Sequence, residues 1–378
     1  MPDFDGHDAI LMIAASETSP DLYYASGFLA PDDFIYFETP RQKVLLMSDL
    51  EIDRARAESR ADRVLSISKY EEVAGKTGAE NPTALHALDV ALREHGIRSL
   101  LVPRKFPIEA ADFLRGKGFH LDFRKGSILP ERETKSGPEI EHILEVQRHT
   151  EAAMERAIQA IRESEVRDET LYRDGQPLTA EAIKRIVAFD LMERECIAQH
   201  TIVACGDLGC DPHNRGTGPL KADRTIILDI FPRSSESGYY GDLTRTVVRG
   251  RASDAVRKIY DAVARAQEVV FGRLKVGADG VEIHQAVMDH FNHLGYRTGE
   301  VDGRMQGFFH GTGHGVGLEI HEPPRISRRG DVLRDGHVVT VEPGLYYPGV
   351  GAVRTEDLVV VTEGGYHNLT SCPKVLEV

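Results

Sequence analysis

Leu228–Thr246 reads LDIFPRSSESGYYGDLTRT, and its two aspartates, Asp229 and Asp242, decide how the rest of the chain is understood. Asp229 lies in the middle of the apolar run TIILDIF (225–231), where an unpaired charge costs several kcal/mol. Buried acids need a cation, either a basic side chain or a metal. The turn-rich RSSESG separates two strand-like runs, Thr225–Phe231 and Leu243–Arg249, and so predicts a β-hairpin. Glu342 ends the apolar run VVTVE, and Glu356 follows it across YYPGVGA, which is again hairpin-like. Taken singly, each acid is best explained by a nearby arginine such as Arg245 or Arg354. Taken together, two hairpins present two carboxylates each to one region. Four carboxylates neutralise the four positive charges of two divalent ions.

Working outward, FFHGTGHGVGLEIHEPP (308–324) carries His310, His314 and His321. His314 stands between Gly313 and Gly315, where backbone comes close to an ion or substrate, and it is the natural nitrogen ligand. One imidazole among carboxylates favours hard or borderline ions. The glycine run is no nucleotide loop, because it lacks the GK[ST] ending and a dinucleotide-binding context. His213-Asn214 precedes the first aspartate, and Arg354 stands two residues before Glu356.

The chain has 378 residues, which predicts two domains or three small ones. Lys plus Arg is 46 against 60 Asp plus Glu, a net charge of −14. That balance argues against nucleic-acid or anionic-membrane partners, which need a basic face. No apolar run is long enough for a membrane span, and the acidic N-terminus does not read as a secretory signal. Cys196, Cys205, Cys210 and Cys372 match no metal or disulfide spacing. The expected compartment is therefore the cytoplasm.

Residues 1–130 alternate strand-like runs (Ala9–Ala15, Val44–Met47, Val64–Ile67, Ser99–Val102) with helical spacing over Ala84–His95, which suggests a small α/β domain. Residues 131–138 are dense in charge, Pro and Gly and read as a linker, with Pro138 opening the next helix. Residues 139–378 carry four helical patterns: one from Ile140 to Ile161, then Leu178–Arg194, Ser253–Phe271 and Val281–Leu294. Between and after them come the strand runs Thr225–Phe231, Leu243–Arg249, Val338–Glu342 and Ala352–Thr362. The expectation is an α+β domain with an antiparallel sheet.

The order Asp229…Asp242-Leu-Thr-Arg-Thr, His310-Gly-Thr-Gly-His314-Gly, Val341-Glu342-Pro-Gly and Arg354-Thr-Glu356-Asp resembles the pita-bread metallopeptidases: aminopeptidase P, prolidase and methionine aminopeptidase. The N-terminal segment Asp21-Leu-Tyr-Tyr-Ala-Ser-Gly-Phe28 extends the similarity to a creatinase-like N-terminal domain. The resemblance implies a dinuclear centre. Asp229 would bind one ion, Asp242 and Glu356 would bridge, and His314 with Glu342 would complete the second. Glu342 would shuttle a proton. His213 and His321 would bind the substrate carbonyl and oxyanion, and His310 would line the prime-side pocket. Arg354 would either clamp the ligand carboxylates or anchor a substrate carboxylate. Oxygen-rich ligation suits Mn²⁺, with Co²⁺, Zn²⁺ or Fe²⁺ also fitting. The extra domain places the chain in the branch that cleaves X-Pro bonds, as an Xaa-Pro aminopeptidase first. The alternatives are an Xaa-Pro dipeptidase, a relative acting on another small amide or C–N or C–S substrate, and a non-catalytic binder. A proline-containing peptide substrate and a homodimer or higher homo-oligomer are also implied. Two departures stand out: Phe231 occupies a position where the family has a small residue, and the gap from Asp229 to Asp242 is two residues longer than is common.

Overall fold

The computed structural model describes residues 3–378. By internal packing the chain divides into two compact units, Met1–Arg132 and Glu133–Val378.

The first unit is built on a six-stranded mixed sheet. Its strands run in the spatial order Arg63–Ser66, Gln42–Met47, Phe34–Thr39, Ala9–Ala14, Ser99–Pro103, His120–Arg124. The strand Phe34–Thr39, the edge strand His120–Arg124 and the helices Ile52–Glu58, Ile67–Lys76 and Ile108–Gly116 are additional to the expected elements. The aromatic, β-branched run Phe34-Ile-Tyr-Phe37 fits a pleated, fully buried strand. The two sheet faces bury separate apolar clusters, one around Leu88, Ala91 and Leu114, the other around Leu22, Phe28 and Ile128.

The second unit contains the four expected helices, Gly137–Arg162, Ala180–Met192, Asp254–Phe271 and Gly280–His293. The first helix starts one residue before the expected Pro138. A capping box between Ser136 and Glu139 satisfies its leading amides. Ser253 caps the third helix by accepting from the Val256 amide at 3.2 Å. The stretch read as a linker is partly folded into this unit. Thr134 bridges to His337, and Lys135, with its side chain 1% exposed, pairs with Glu322 at 2.5 Å. The Lys135 charge of this stretch is therefore buried and compensated, whereas Glu131 stays exposed.

All the pairings within this unit's named strands are antiparallel. The first two helices share an apolar cluster with the sheet Ile202–Cys205, Thr225–Ile230, Leu243–Val248. The last two share another with the strands around Val338–Val341 and Asp357–Thr362. Each half thus lays two helices on an antiparallel sheet, the packing that an apolar helix stripe and an apolar sheet face require.

Candidate metal centre

Both hairpins form; Asp242, Glu342 and Glu356 stand just outside regular pairing, while Asp229 lies in the central strand of its sheet, paired on both sides. In the first, Thr225–Ile230 pairs with Leu243–Val248, so that Asp229 faces Thr244. Asp242 immediately precedes the second strand. Side chains alternate with period two, so Asp242 and Thr244 share a face with Asp229. The longer loop does not disturb this: Arg233–Ser234 pairs separately with Cys196–Ile197.

The second hairpin departs from the expected continuous strand Ala352–Thr362. It is split into Gly344–Tyr347 paired with Gly351–Arg354, and Val338–Val341 paired with Asp357–Thr362. The register is the same on both sides of the break, and Glu342 and Glu356 stand at it, opposite one another. Pro343 has no N–H to give a ladder. The Glu342 amide instead donates to Thr312 O, and the Glu356 amide to Thr244 O. Thr246 Oγ1 donates to Arg354 O at 2.8 Å, so the first hairpin is bonded into the gap in the second.

His314 arrives on the short strand Gly313–Gly315, which bulges between His314 and Gly315. Its neighbours must be glycine. A Cβ on Gly313 would lie 2.0 Å from Thr340 O, and one on Gly315 2.3 Å from Pro323 O. His314 Nδ1 donates to Gly315 O at 3.1 Å, which leaves Nε2 bare. That nitrogen is 3.5 Å from Glu342 Oε1 and 3.7 Å from Asp242 Oδ2. Asp242, His314 and Glu356 each offer an atom within 4.8 Å of the others.

Asp229 completes the group through Arg354, whose Nη2 donates to Asp229 Oδ2 at 2.5 Å. Arg354 also donates to Tyr346 OH (3.0 Å) and Thr244 Oγ1 (3.3 Å). Arg245 is used elsewhere, in a fully buried pair with Asp357 at 2.9 Å. One guanidinium therefore faces four acids. Asp242 and Glu342 are held well above the usual carboxylate range, first by burial and then by the charge of Glu356. Burial and Asp229 push Glu356 up to about 7. His314 is lowered to about 3 by burial and by His321, so it is a neutral imidazole at ordinary pH. A buried group of acids that repel one another, with a bare imidazole nitrogen turned toward them, fits divalent cations.

The cluster opens into a cavity of about 530 Å³. His213, His310 and His321 all line it, so the structure brings every sequence-predicted site residue to one place. Phe231 is in the wall, with Ile202, Phe309 and Ile320 adding apolar surface. His310 donates from Nδ1 to Gly311 O (2.8 Å) and accepts at Nε2 from Tyr346 OH (2.8 Å). Burial and Arg354 lower it to about 3.

Four contributors were not foreseen. Gln147 is fully buried and binds the Asp242 backbone both ways, donating to its carbonyl (3.0 Å) and accepting from its amide (2.9 Å). Gly241 makes this approach feasible, since a Cβ there would meet Thr150 Oγ1 at 2.6 Å. Thr244 Oγ1 donates to Glu356 Oε2 at 2.7 Å, and Tyr346 links Arg354 to His310. Arg325 lines the cavity, is exposed, and makes no ion pair among the described residues. The Thr244 contribution was readable from its two-residue spacing to Asp242. Gln147 had no signal, because it looks like any polar residue on a helix.

Residues 141–363 match the model of Metallopeptidase family M24. A Bacillus subtilis peptidase, YqhT, is 40% identical over 176 residues, a stretch covering 46% of this chain and 47% of that protein. The similarity to that relative therefore spans about half its length. An Xaa-Pro dipeptidase of Pyrococcus horikoshii is 28% identical over 373 residues, which is 98% of this chain and 94% of that protein. Among solved structures, an Xaa-Pro dipeptidase from Bacillus anthracis has the same fold, with a TM-score of 0.83 at 24% identity, covering 99% of this chain and 97% of its own. With its pita-bread architecture and a family match over more than half its length, the chain belongs to metallopeptidase family M24, a family of divalent-metal-dependent peptidases.

Proposed function

We propose that the chain hydrolyses Xaa-Pro peptide bonds using two divalent ions, Mn²⁺ foremost, held by Asp229, Asp242, His314, Glu342 and Glu356. The observation that carries this reading is the convergence of four acids and one bare imidazole nitrogen, with a single arginine to offset them. When bound, the ions supply Lewis acidity, making a water acidic and polarising the scissile carbonyl.

The chain's own groups do the rest. Glu342, half-buried at the cavity wall, accepts the proton of the attacking water and returns it to the leaving nitrogen. His213 and His321 face the same cavity and donate to the substrate carbonyl as negative charge develops on its oxygen. Both ring nitrogens of His310 are engaged, so it presents ring surface to the substrate. Of the two roles open to Arg354, the clamp is the better supported, because all three of its nitrogens already donate to Asp229, Tyr346 and Thr244 within the acid cluster. The apolar side chains of Ile202, Phe231, Phe309 and Ile320 suit a proline ring.

Aminopeptidase action on longer X-Pro peptides is the first reading. Dipeptidase action is the second, favoured by the unpaired guanidinium of Arg325 at the cavity, which matches a dipeptide's C-terminal carboxylate. The four free cysteines suit a reducing compartment such as the cytoplasm. The family resemblance argues for a homodimer, which sedimentation measures.

The test compares an X-Pro dipeptide with an X-Pro-Y tripeptide, with Mn²⁺ and with chelator. Tripeptide turnover supports the aminopeptidase, and turnover of the dipeptide alone supports the dipeptidase. No metal-dependent turnover of either contradicts the proposal. If the dipeptide reading holds, Arg325→Ala raises KM for the dipeptide by about tenfold or more and leaves kcat largely intact.

A further inference from the structure

The first unit has a donor cluster of its own, built from residues the proposed mechanism does not use. His120 and Asp122 are two apart on the edge strand His120–Arg124, so both point from one face. His7, just before the first strand, joins them. His120 Nε2 and His7 Nε2 lie 3.0 Å and 3.1 Å from the same oxygen, Asp122 Oδ2. Donor atoms of all three residues lie within 4.8 Å of one another. The two imidazole rings are parallel to within 4°.

Other residues hold this arrangement in place. A tight turn, Phe4–His7, is closed by the His7 amide donating to Phe4 O at 2.9 Å. Arg124, farther along the edge strand, grips that turn through Asp5 Oδ2 (3.0 Å) and Asp3 O (2.6 Å). On the other side of His7, Asp8 Oδ2 accepts from the backbone amides of Arg98 and Ser99, both at 2.9 Å. The turn is thus fastened to the sheet before and after His7. The His7 side chain is only 10% exposed, whereas Asp122 (57%) and His120 (69%) face solvent.

Hydrogen bonding also determines which nitrogen of His7 is available. Phe4 O can only accept, so His7 Nδ1, 3.1 Å away, carries the proton. Nε2, turned onto the Asp122 carboxylate oxygen at 3.1 Å, is therefore the ring nitrogen left to meet a cation. A backbone carbonyl holding the far ring N–H is also how metal-binding imidazoles are oriented.

We propose that His7, His120 and Asp122 form a divalent-cation site separate from the acid cluster, suited to Zn²⁺ or a similar borderline ion. Two imidazoles and one carboxylate make a zinc ligand set that leaves a position for water, and the solvent-facing side of the cluster supplies it. Mg²⁺ and Ca²⁺ are disfavoured, since they select oxygen ligands. The bound ion clips the N-terminal turn to the edge strand.

The test is equilibrium dialysis of the full-length, metal-stripped protein against micromolar Zn²⁺, followed by elemental analysis. Wild type is expected to hold one more equivalent of zinc than His120→Ala and than Asp122→Asn. Both variants should keep wild-type Mn²⁺-dependent peptidase activity, which shows that they fold. His367→Ala, which removes an exposed histidine outside the cluster, should match wild type. Equal zinc in wild type and both cluster variants overturns the proposal. An equal loss in His367→Ala also overturns it, because binding is then generic surface binding.

Discussion

The Thr244 hydroxyl touches both sides of the acid cluster, donating to Glu356 Oε2 and accepting from Arg354 Nε. Thr244→Val keeps the shape and removes the hydrogen bond. Metal affinity should fall about 10–100-fold, as for other groups that orient ligands. Thr244→Ser should restore it, with isothermal titration as the readout. Gln147 acts on the backbone instead. Gln147→Leu strands a buried N–H and a buried C=O on Asp242, and should cost about 2–5 kcal/mol in denaturant unfolding. The acids also set a pH dependence for the metal-free protein. Burial and Asp229 push Glu356 up to about 7, above the ordinary glutamate value of 4.5, so the folded state holds more protons than the unfolded one across that window. Stability of the metal-free form therefore falls as pH rises from about 4.5 to 7. Asp242 and Glu342 are raised as well and add to this. Divalent ions replace those protons, so the gain in Tm on adding Mn²⁺ should widen from pH 5 to pH 8. A constant gain would contradict this. At this scale Asp229 and Glu342 were conspicuous in the chain as charges inside apolar runs, whereas Asp242, His314 and Glu356 were joined to them by hairpin spacing, glycine context and the family resemblance. Gln147 and Tyr346 could not be recognised, because their partners are distant in sequence.

Among elements, the split hairpin matters most. Val338–Tyr347 and Gly351–Thr362 keep one register across a gap at Glu342 and Glu356. That gap turns two backbone positions toward the neighbouring hairpin. The sequence reads as one strand there because apolar residues flank Arg354-Thr-Glu-Asp357 on both sides and nothing local marks a break. The break depends on Pro343 and on amide bonds to Thr312 and Thr244, which are tertiary features. The Gly313–Gly315 strand is equally constrained. Gly313→Ala forces a Cβ against Thr340 O, and overpacking of this kind costs about 1–3 kcal/mol or more. The strand carries His314, so metal affinity should fall together with stability. Loss of stability with unchanged metal affinity would separate the two and count against the placement of His314.

At the level of the whole molecule, the two units have separate cores, around Leu88 and Phe28 in one and around Leu228 and Val339 in the other. A multi-unit chain is not expected to unfold in one step. Because the acid cluster lies wholly within Glu133–Val378, Mn²⁺ should raise only one of two calorimetric transitions. A single transition, or an equal shift of both, would contradict that. The α/β and α+β characters of the two regions were legible, since helix and strand periods are local. The packing of the polar stretch around Lys135 was not, because its buried partner Glu322 lies far along the chain. The account as a whole rests on five side chains forming a cage for a pair of cations. Anomalous diffraction from crystals grown with Mn²⁺ tests this directly. It should place two ions, each in contact with members of the set Asp229, Asp242, His314, Glu342 and Glu356. An empty cage at saturating Mn²⁺, or ions bound only elsewhere, would contradict it.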